Sequence, residues 1–375
     1  MINAESPPVP LDEFITHLLA QAVDRQASDI HIEPLASTAC RIRLRIDGLL
    51  RQGRHCDPPL AARLTVGLKM MAGMDIAERR LPQDGQFAFG PPDAGYSCRV
   101  SSLPTLSGEK LVLRLLRRRQ TGPTLAELGM PPALRRRFLR LLRRPHGLVL
   151  LTGPTGSGKT LTLYAALGVL KRRPMNICTV EDPVEIPLTD INQCQVNHKA
   201  RLDFPVLLRA MLRQDPDVIM VGEIRDAATA AIALHAAQTG HLVLSTLHTA
   251  GAGDCLRRLC HLGLTAEQVA PVLRLVMAQR LVRRLCPACR REAPSPDRDG
   301  RFYSRQWRAV GCALCHEGYH GRQGLFYLRE TSAWRDEASM EDTETENNLR
   351  DAGRLLVEQG LTTLTELNRV LGRPA

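Results

Sequence analysis

The stretch GLVLLTGPTGSGKT at residues 147–160 constrains the fold of this chain more than any other. Four apolar residues at 148–151 lead into a glycine-rich turn, and an apolar, helix-like segment follows the turn. The phosphate-binding pattern G-x-x-x-x-G-K-[ST] is matched by Gly153, Gly158, Lys159 and Thr160. A strand before the turn and a helix after it are the context that this pattern requires. The stretch therefore predicts an α/β domain that binds phosphate, against the alternative of an ordinary glycine-rich turn.

The residue types of this loop suit a nucleotide and its metal ion. Glycines let successive backbone N–H groups curve around an anion, and the N-terminus of the following helix adds partial positive charge. The Lys159 ammonium can reach the β- and γ-phosphates, and the Thr160 hydroxyl can bind Mg²⁺. We expect the nucleotide to be held by Gly153, Pro154, Thr155, Gly156, Ser157, Gly158, Lys159 and Thr160.

The length of 375 residues exceeds what one hydrophobic core usually supports, so two or three domains are expected. A hydrophobic content of 44% and a charged content of 24% are typical of a soluble globular protein. No apolar stretch approaches the roughly 18 residues of a membrane-spanning helix, and the N-terminus has no signal-peptide pattern. We therefore expect a cytoplasmic protein.

Changes in sequence pattern predict two domains and a linker. Residues 1–116 mix helical and alternating segments, with a hairpin turn at Asp47-Gly48, so an α+β domain is expected there. Residues 117–132 contain an arginine run, three prolines and two glycines and are predicted to be a linker. Residues 133–375 alternate between helix and strand patterns, which predicts a parallel sheet with helices on both faces and a helical tail at 345–375. The core strands are expected at residues 148–152, 176–181, 217–221 and 242–247.

Acidic residues and a histidine follow three of these predicted strands. Glu181 and Asp182 end one strand, Glu223 follows the next, and His248 follows a third. Because ligands bind beyond the carboxyl ends of parallel strands, we expect these side chains near the phosphate loop. Acids there hold Mg²⁺ or orient the attacking water, and a polar residue can sense the γ-phosphate. His241, at the start of the third strand, stays open between a functional and a packing role.

Two C-x-x-C pairs with 22 residues between them account for four of the eleven cysteines, namely Cys286, Cys289, Cys312 and Cys315. Four thiolates at this spacing suit a tetrahedral Zn²⁺ site of structural type, in a segment with little apolar core. We predict a zinc-binding segment at residues 284–318. The alternatives are two coincidental pairs or a redox pair, and substitute ligands are available in His316 and His320.

The net charge of +11 comes partly from arginine clusters at residues 117–119, 135–137 and 140–144. Such clusters attract nucleic acid, anionic lipid or acidic partners, but they also occur on solvated helix faces. Aromatic residues make up only 4% of the chain and form no evident stacking platform for bases. We therefore favour solvated faces and expect no nucleic acid partner.

Together these motifs resemble the secretion superfamily of ATPases, which drive type II secretion and type IV pilus assembly. The resemblance covers roughly residues 27–330 in the order of the family. It is carried by the segments 28–34, 41–48, 81–86, 153–160, 180–185, 213–226, 240–249, 278–283 and 318–322. The C-x-x-C pairs resemble those of assembly and secretion members, whereas retraction motors of the superfamily usually lack them.

The resemblance implies a RecA-like domain preceded by a smaller PAS-like α+β domain, in a homo-hexamer whose ATP sites lie between the two kinds of domain. It implies that ATP is hydrolysed with Mg²⁺, with Glu181 and Glu223 orienting water and metal and His248 sensing the γ-phosphate. Arg99 and Arg114 match the arginines of the N-terminal domain that reach the γ-phosphate in the family. Arginine suits this role because its planar fork binds two phosphate oxygens at once.

The resemblance also implies partners and a location. Hydrolysis would power the assembly of a type II secretion pseudopilus or a type IV pilus through an inner-membrane platform protein, with a cytoplasmic-domain partner that recruits the motor. The protein would be cytoplasmic and peripheral to the inner membrane. The chain starts close to the small α+β domain, without the extra N-terminal domain of longer members, so a different recruitment is expected. Two alternatives stay open: a hexameric motor that translocates nucleic acid, and a nucleotide-gated scaffold that does not hydrolyse ATP.

Overall fold

Two structural units are present in the computed structural model, at Met1–Arg119 and Gln120–Ala375. The structure describes residues 10–36, 39–91, 95–118, 121–293, 305–330 and 342–373. The predicted boundaries of the domains and the linker stay predictions, although Leu125 and Met130 of the predicted linker are buried in the core of the second unit. Parts of the predicted zinc-binding segment and of the predicted helical tail lie outside the described residues.

The first unit is an antiparallel sheet with two helices. The helices are α1 at Leu11–Asp24 and α2 at Pro58–Met71. The strands are β1 at Ala27–Pro34, β2 at Cys40–Ile46, β3 at Leu49–Arg51, β4 at His55–Cys56, β5 at Gln83–Phe89, β6 at Tyr96–Thr105 and β7 at Gly108–Arg117. Their order in the sheet is β3-β2-β1-β7-β6-β5, with β4 paired to β2.

Alternation of apolar and charged residues, clearest along β2, gives this sheet one apolar and one charged face. On β2, Ile42 and Leu44 are buried in the core that α1 and α2 complete, whereas Arg43 and Arg45 point the other way. This pattern follows from the two-residue period of a strand with one covered face. The predicted hairpin turn at Asp47-Gly48 is confirmed, since both residues have positive φ angles, of 50° and 85°.

The second unit contains a mostly parallel sheet with helices on both faces, so the predicted fold class is confirmed. Its strands are β8 at Gly147–Thr152, β9 at Ile177–Glu181, β10 at Asn192–Gln195, β11 at Val218–Val221, β12 at Leu242–Leu247, β13 at Leu273–Leu285, β14 at Arg291–Ala293, β15 at Gln306–Arg308 and β16 at Tyr319–Glu330. Its helices are α3 at Pro132–Leu142, α4 at Lys159–Leu170, α5 at Phe204–Met211, α6 at Ala227–Gln238, α7 at Ala252–His261, α8 at Ala266–Val269, α9 at Asp342–Glu358 and α10 at Leu364–Leu371. None of the helices in the described part of the chain combines the length and apolar character needed to cross a bilayer.

The strand order of the main sheet is β10-β9-β11-β12-β8-β13-β16, with β16 antiparallel to β13. Strands β8, β11 and β12 are buried along their whole length, because helices cover both faces. Leu148 and Leu150 join the core formed with α5, α6 and α7, while Val149 and Leu151 join the core formed with α3 and α4. Continuous apolar runs are the expected signature of such strands.

The strands β13 and β16 were not predicted from the sequence. The sequence of β13, LRLVMAQRLVRRL, mixes apolar and basic residues without a regular period, so it matches neither strand pattern. The predicted helical tail is also divided, since α9 ends at Glu358 and α10 begins at Leu364. Gly360 lies in the break with a φ angle of 66°, which glycine adopts readily.

A buried ion network attaches α10 to β13. The Glu366 carboxylate is fully buried and accepts hydrogen bonds from Arg283 Nε at 2.9 Å and from Arg369 Nε at 2.8 Å. The Arg283 backbone N–H donates to the same carboxylate at 3.0 Å. Burial alone would raise the pKa of Glu366, but these charged donors outweigh burial and lower the pKa.

We expect Glu366→Ala to lower the free energy of unfolding by about 3–5 kcal/mol, because it leaves the buried Arg283 guanidinium without its counter-charge. Chemical denaturation of the full chain measures the effect. Glu358→Ala is the matched control, since Glu358 lies on α9 in a partly exposed pair with Arg354. Equal stabilities of the two variants would contradict the assignment.

Candidate active site

The carboxyl ends of four adjacent strands bring the predicted site residues to one edge of the sheet. The phosphate loop leaves β8, Glu181 ends β9, Glu223 follows β11, and His248 follows β12. These strands run parallel, so all four ends lie on the same side. His241 precedes β12 and therefore lies at the opposite edge, where its Nδ1 contacts the Ala236 carbonyl oxygen at 3.0 Å.

The phosphate loop at residues 153–158 connects a buried strand directly to a helix. Helix α4 begins at Lys159, and its N-cap residue Gly158 has a φ angle of 86°. Gly156 has a φ angle of 78°, so both positions favour glycine. The Ser157 hydroxyl is buried and has no hydrogen-bond partner, which leaves a polar group available to a ligand oxygen. The loop and the helix N-terminus together fit a phosphate group.

Lys159 is held over this loop. Its Nζ donates to the Gly153 carbonyl oxygen at 2.7 Å and to the Pro154 carbonyl oxygen at 3.0 Å, and only 6% of the residue is exposed. Burial lowers the pKa of Lys159 to about 8, while the charge of Glu223 opposes this shift. The ammonium is therefore poorly solvated, so a phosphate oxygen that contacts it gains a strong charge-assisted hydrogen bond.

Glu223 is the site carboxylate that lies beside His248. It is paired with Arg225 Nη2 at 2.5 Å and with His248 Nε2 at 3.2 Å, and its side chain is 14% exposed. The Thr246 hydroxyl donates to the Gly222 carbonyl oxygen at 2.9 Å and thereby fixes the backbone beside Glu223. A partly exposed carboxylate next to a histidine can bind a metal-bound water or orient an attacking one.

Glu181 has a different environment. Its side chain is buried and accepts hydrogen bonds from Thr179 Oγ1 at 2.7 Å, from Gln193 Nε2 at 2.9 Å and from the Tyr164 hydroxyl. Burial and the adjacent Glu181 charge raise the pKa of Tyr164. Since Tyr164 lies on α4, Glu181 attaches the helix of the phosphate loop to β9. The geometry favours a positioning role for Glu181 over direct contact with water.

Arg99 and Arg114 lie on the charged face of the first unit. They are opposite each other on β6 and β7, and their neighbours in the strands, such as Val100 and Leu113, are buried on the helix-covered face. Arg114 Nε donates to the buried Asp29 carboxylate at 3.0 Å, which fixes the direction of its guanidinium. The role of the two arginines at the γ-phosphate stays a prediction.

The four predicted zinc ligands form one cluster. Their Sγ atoms lie within 4.8 Å of one another, and the separations are 3.9 Å for Cys286–Cys312, 3.7 Å for Cys289–Cys315 and 3.7 Å for Cys312–Cys315. Four sulfurs at about 2.3 Å from a tetrahedral zinc ion are about 3.8 Å apart. The cysteine set thus fits Zn²⁺ in both ligand type and spacing. Within the described residues, the group of closely spaced metal-ligand atoms consists of these four sulfurs and includes neither His316 nor His320.

With the fold and the site geometry established, comparison with known proteins identifies the family. A family profile described as "Type II/IV secretion system protein" matches residues 5–369. The chain belongs to this family. The resemblance drawn from the motifs is confirmed, and so is the prediction of an ATPase, because the related proteins are secretion and pilus ATPases.

Several curated members of the family are similar over almost the whole chain. The "Protein transport protein HofB homolog" of Escherichia coli (strain K12) is 49% identical over 97% of this chain and 82% of its own length. The "Type IV pilus assembly ATPase PilB" of Pseudomonas aeruginosa is 42% identical over 98% of this chain and 69% of its own length. The "Type II secretion system protein HxcR" of the same species is 46% identical, over 96% and 77% respectively.

Solved structures of the family share the fold. A crystal structure of "the Pilus Retraction Motor PilT and Bound ADP" superimposes with a TM-score of 0.60 and 26% identity, covering 95% of this chain and 96% of that one. The "Legionella pneumophila ATPase DotB" superimposes with a TM-score of 0.67 at 23% identity, covering 98% and 97%. The second likeness supports the fold alone.

Two further residues beside the phosphate loop had no assigned role in the sequence analysis. Gln279 and Arg280 lie on β13, next to β8 in the sheet, and Arg280 Nη2 donates to the Ala250 carbonyl oxygen at 2.7 Å. Both belong to the segment 278–283 that carries part of the family resemblance. That segment was the available signal, but its contact with the loop depends on β13, which the sequence pattern did not predict.

Proposed function

We propose that this chain is a Mg²⁺-dependent ATPase motor that powers the assembly of a pilus or a type II secretion pseudopilus. The observation that carries the proposal is the convergence of the phosphate loop, Glu223 and His248 at one edge of the parallel sheet. Such a constellation supplies a phosphate cradle, a metal- or water-binding carboxylate and a group placed to respond to the γ-phosphate. Membership of the family supports the coupling to pilus or secretion machinery.

In this proposal the residues have distinct tasks. The loop at 153–160 holds the phosphates, and Thr160 binds Mg²⁺. Glu223 orients the metal and the attacking water, and His248 relays the state of the γ-phosphate through its contact with Glu223. Arg99 and Arg114 contribute positive charge at the γ-phosphate, where it offsets the charge of the transferring group.

We further propose that Cys286, Cys289, Cys312 and Cys315 hold a structural Zn²⁺. The spacing of their sulfurs supports a closed tetrahedral site without an open position for water. The site would join the end of β13 to the start of β16, in a region whose strands β14 and β15 are only three residues long each. A metal is therefore expected to replace the apolar core that this segment lacks.

The working assembly in this proposal is a homo-hexamer on the cytoplasmic side of the inner membrane. A platform protein in the membrane would receive the motion of the motor, and a partner with a cytoplasmic domain would recruit it. Membership of a family of secretion and pilus machines supports this arrangement.

A genetic experiment tests the cellular role. Deletion of the gene in the host bacterium is expected to abolish surface pili or type II secretion, and the wild-type gene is expected to restore them. The Glu223→Gln variant should be expressed at the same level but should not restore assembly. Undiminished pili and secretion in the deletion strain would contradict the proposed function.

The two acids are distinguished by isosteric variants. We expect Glu223→Gln to lower kcat about 10²–10⁴-fold while the affinity for nucleotide changes little, because the residue acts on water rather than on binding. We expect Glu181→Gln mainly to lower the free energy of unfolding, by about 1–3 kcal/mol, because it disturbs three buried hydrogen bonds. Steady-state kinetics and thermal denaturation of both variants provide the measurement. The opposite assignment of effects would show that Glu181 is the main water-orienting acid.

A further inference from the structure

Gln279 joins the phosphate loop to the neighbouring strand through both ends of its amide group. Its Nε2 donates to the Ser157 carbonyl oxygen at 2.9 Å, and its Oε1 accepts from the Thr162 hydroxyl at 2.9 Å. Gln279 is only 1% exposed, and Thr162 is fully buried on the first turns of α4. A buried amide with both groups paired holds its partners tightly, since loss of either bond leaves an unsatisfied polar group.

The contact to Ser157 determines the direction of one peptide group in the loop. In a planar trans peptide the carbonyl oxygen and the following N–H point in opposite directions. Because the Ser157 carbonyl oxygen is drawn toward Gln279 on β13, the N–H of Gly158 points away from β13. Backbone N–H groups of such a loop are the donors that surround a phosphate. Gln279 therefore fixes the orientation of one of these donors.

The close approach of β13 also explains two glycines of the loop. A Cβ atom on Gly153 would lie 2.4 Å from the Gln279 carbonyl oxygen, a distance that backbone atoms do not allow. A Cβ atom on Gly158 would lie 3.0 Å from Gln279 Nε2. Glycine is therefore favoured at both positions by the close approach of Gln279. The positive φ angles of Gly153 and Gly158 are a second, independent reason.

We propose that Gln279 is a positioning residue that holds the phosphate loop in its nucleotide-binding conformation before the nucleotide arrives. The proposal rests on the proposed function, because it deepens the assignment of the same site. Loss of Gln279 is expected to weaken nucleotide binding. A loop without this support must become ordered when the nucleotide binds, and the free energy of that ordering is subtracted from the binding free energy. Once the nucleotide is bound, the phosphates hold the loop themselves, so the chemical step is largely unaffected.

The test uses Gln279→Met, which keeps the length of the side chain and removes both hydrogen bonds. We expect the Kd of a fluorescent ADP analogue and the KM for ATP to rise about tenfold or more, while kcat stays within about threefold of the wild-type value. Gln323→Met is the matched control, since Gln323 on β16 makes a similar contact, from its Nε2 to the Gly129 carbonyl oxygen at 3.0 Å. The control is expected to keep the wild-type Kd and KM.

A second variant guards against a general loss of folding. Thr162→Val removes the hydroxyl that donates to Gln279 Oε1 at 2.9 Å and, more weakly, to the Gly158 carbonyl oxygen at 3.3 Å, and it keeps the Gln279 contact to Ser157. We expect it to raise the Kd about threefold. Unchanged Kd and KM in Gln279→Met and Thr162→Val, or a loss of kcat at constant KM, would overturn the proposal. Wild-type protein that binds ADP but does not hydrolyse ATP would contradict the proposed function alone, since the binding comparison still stands. Wild-type protein that binds no nucleotide would overturn both.

Discussion

Lys159→Ala is expected to lower ATP turnover by at least about 10²–10³-fold, which is the usual effect of removing one charged donor from a developing anion. The lysine is 6% exposed and contacts two carbonyl oxygens of the loop, so its ammonium is already directed at the phosphate position. The substitution removes a desolvated charge, and Glu223 keeps its ion pairs with Arg225 and His248, so the melting temperature should change little. Phosphate release at saturating ATP and thermal denaturation together measure the two effects.

Lys171→Ala, at the other end of α4, provides the control. Lys171 follows the end of α4 and forms a looser ion pair with Asp190 at 3.8 Å. Turnover by this variant should equal that of the wild type. If Lys159→Ala hydrolysed ATP at the wild-type rate, the assignment of the phosphate loop would be wrong.

The double variant Cys286→Ser, Cys289→Ser is expected to lose one zinc ion per chain and to be strongly destabilised. Structural zinc contributes roughly 10–16 kcal/mol to the folding of isolated zinc-finger peptides, and part of that free energy is lost here. Each kcal/mol of lost unfolding free energy lowers the melting temperature of a domain of this size by about 2–4 °C. We therefore expect the melting temperature to fall by about 10 °C or more. Elemental analysis and thermal denaturation measure the two changes.

The control for this prediction is the double variant Cys194→Ser, Cys260→Ser, which alters two partly buried thiols outside the cluster. It should keep the zinc content of the wild type. Wild-type protein that contains no zinc after preparation without chelators would contradict the metal site, and the four thiols would then be free cysteines.

The parallel sheet was predictable from the sequence because its central strands are buried on both faces. Runs such as residues 148–151 and 218–221 are uniformly apolar, and the residues after them carry the polar side chains. The strand β13 lacked this signal. This strand carries buried polar side chains, Gln279 and Arg283, among its apolar residues. These polar residues interrupt the continuous apolar run that would otherwise indicate a buried strand.

The candidate site was predictable only in part for a related reason. The motifs identify which residues belong to the site. The role of each residue depends on its contacts, and these are determined by the fold. Glu181 ends one buried strand and Glu223 follows another. Glu181 is enclosed by Tyr164, Thr179 and Gln193, whereas Glu223 faces His248 and Arg225. The partners of Glu181 are up to 17 residues away along the chain, and no local pattern indicates them.

The rate of phosphate release from ATP by the purified chain tests the assignment of a motor ATPase most directly. We predict hydrolysis that requires Mg²⁺, stops on addition of EDTA, and is unaffected by single-stranded DNA at low and moderate salt. Hydrolysis that appears only with single-stranded DNA and weakens steeply with salt would indicate a nucleic-acid motor instead. Tight binding of ATP without any phosphate release, alone or with the cytoplasmic domain of the platform protein, would indicate a nucleotide-gated scaffold and contradict the motor.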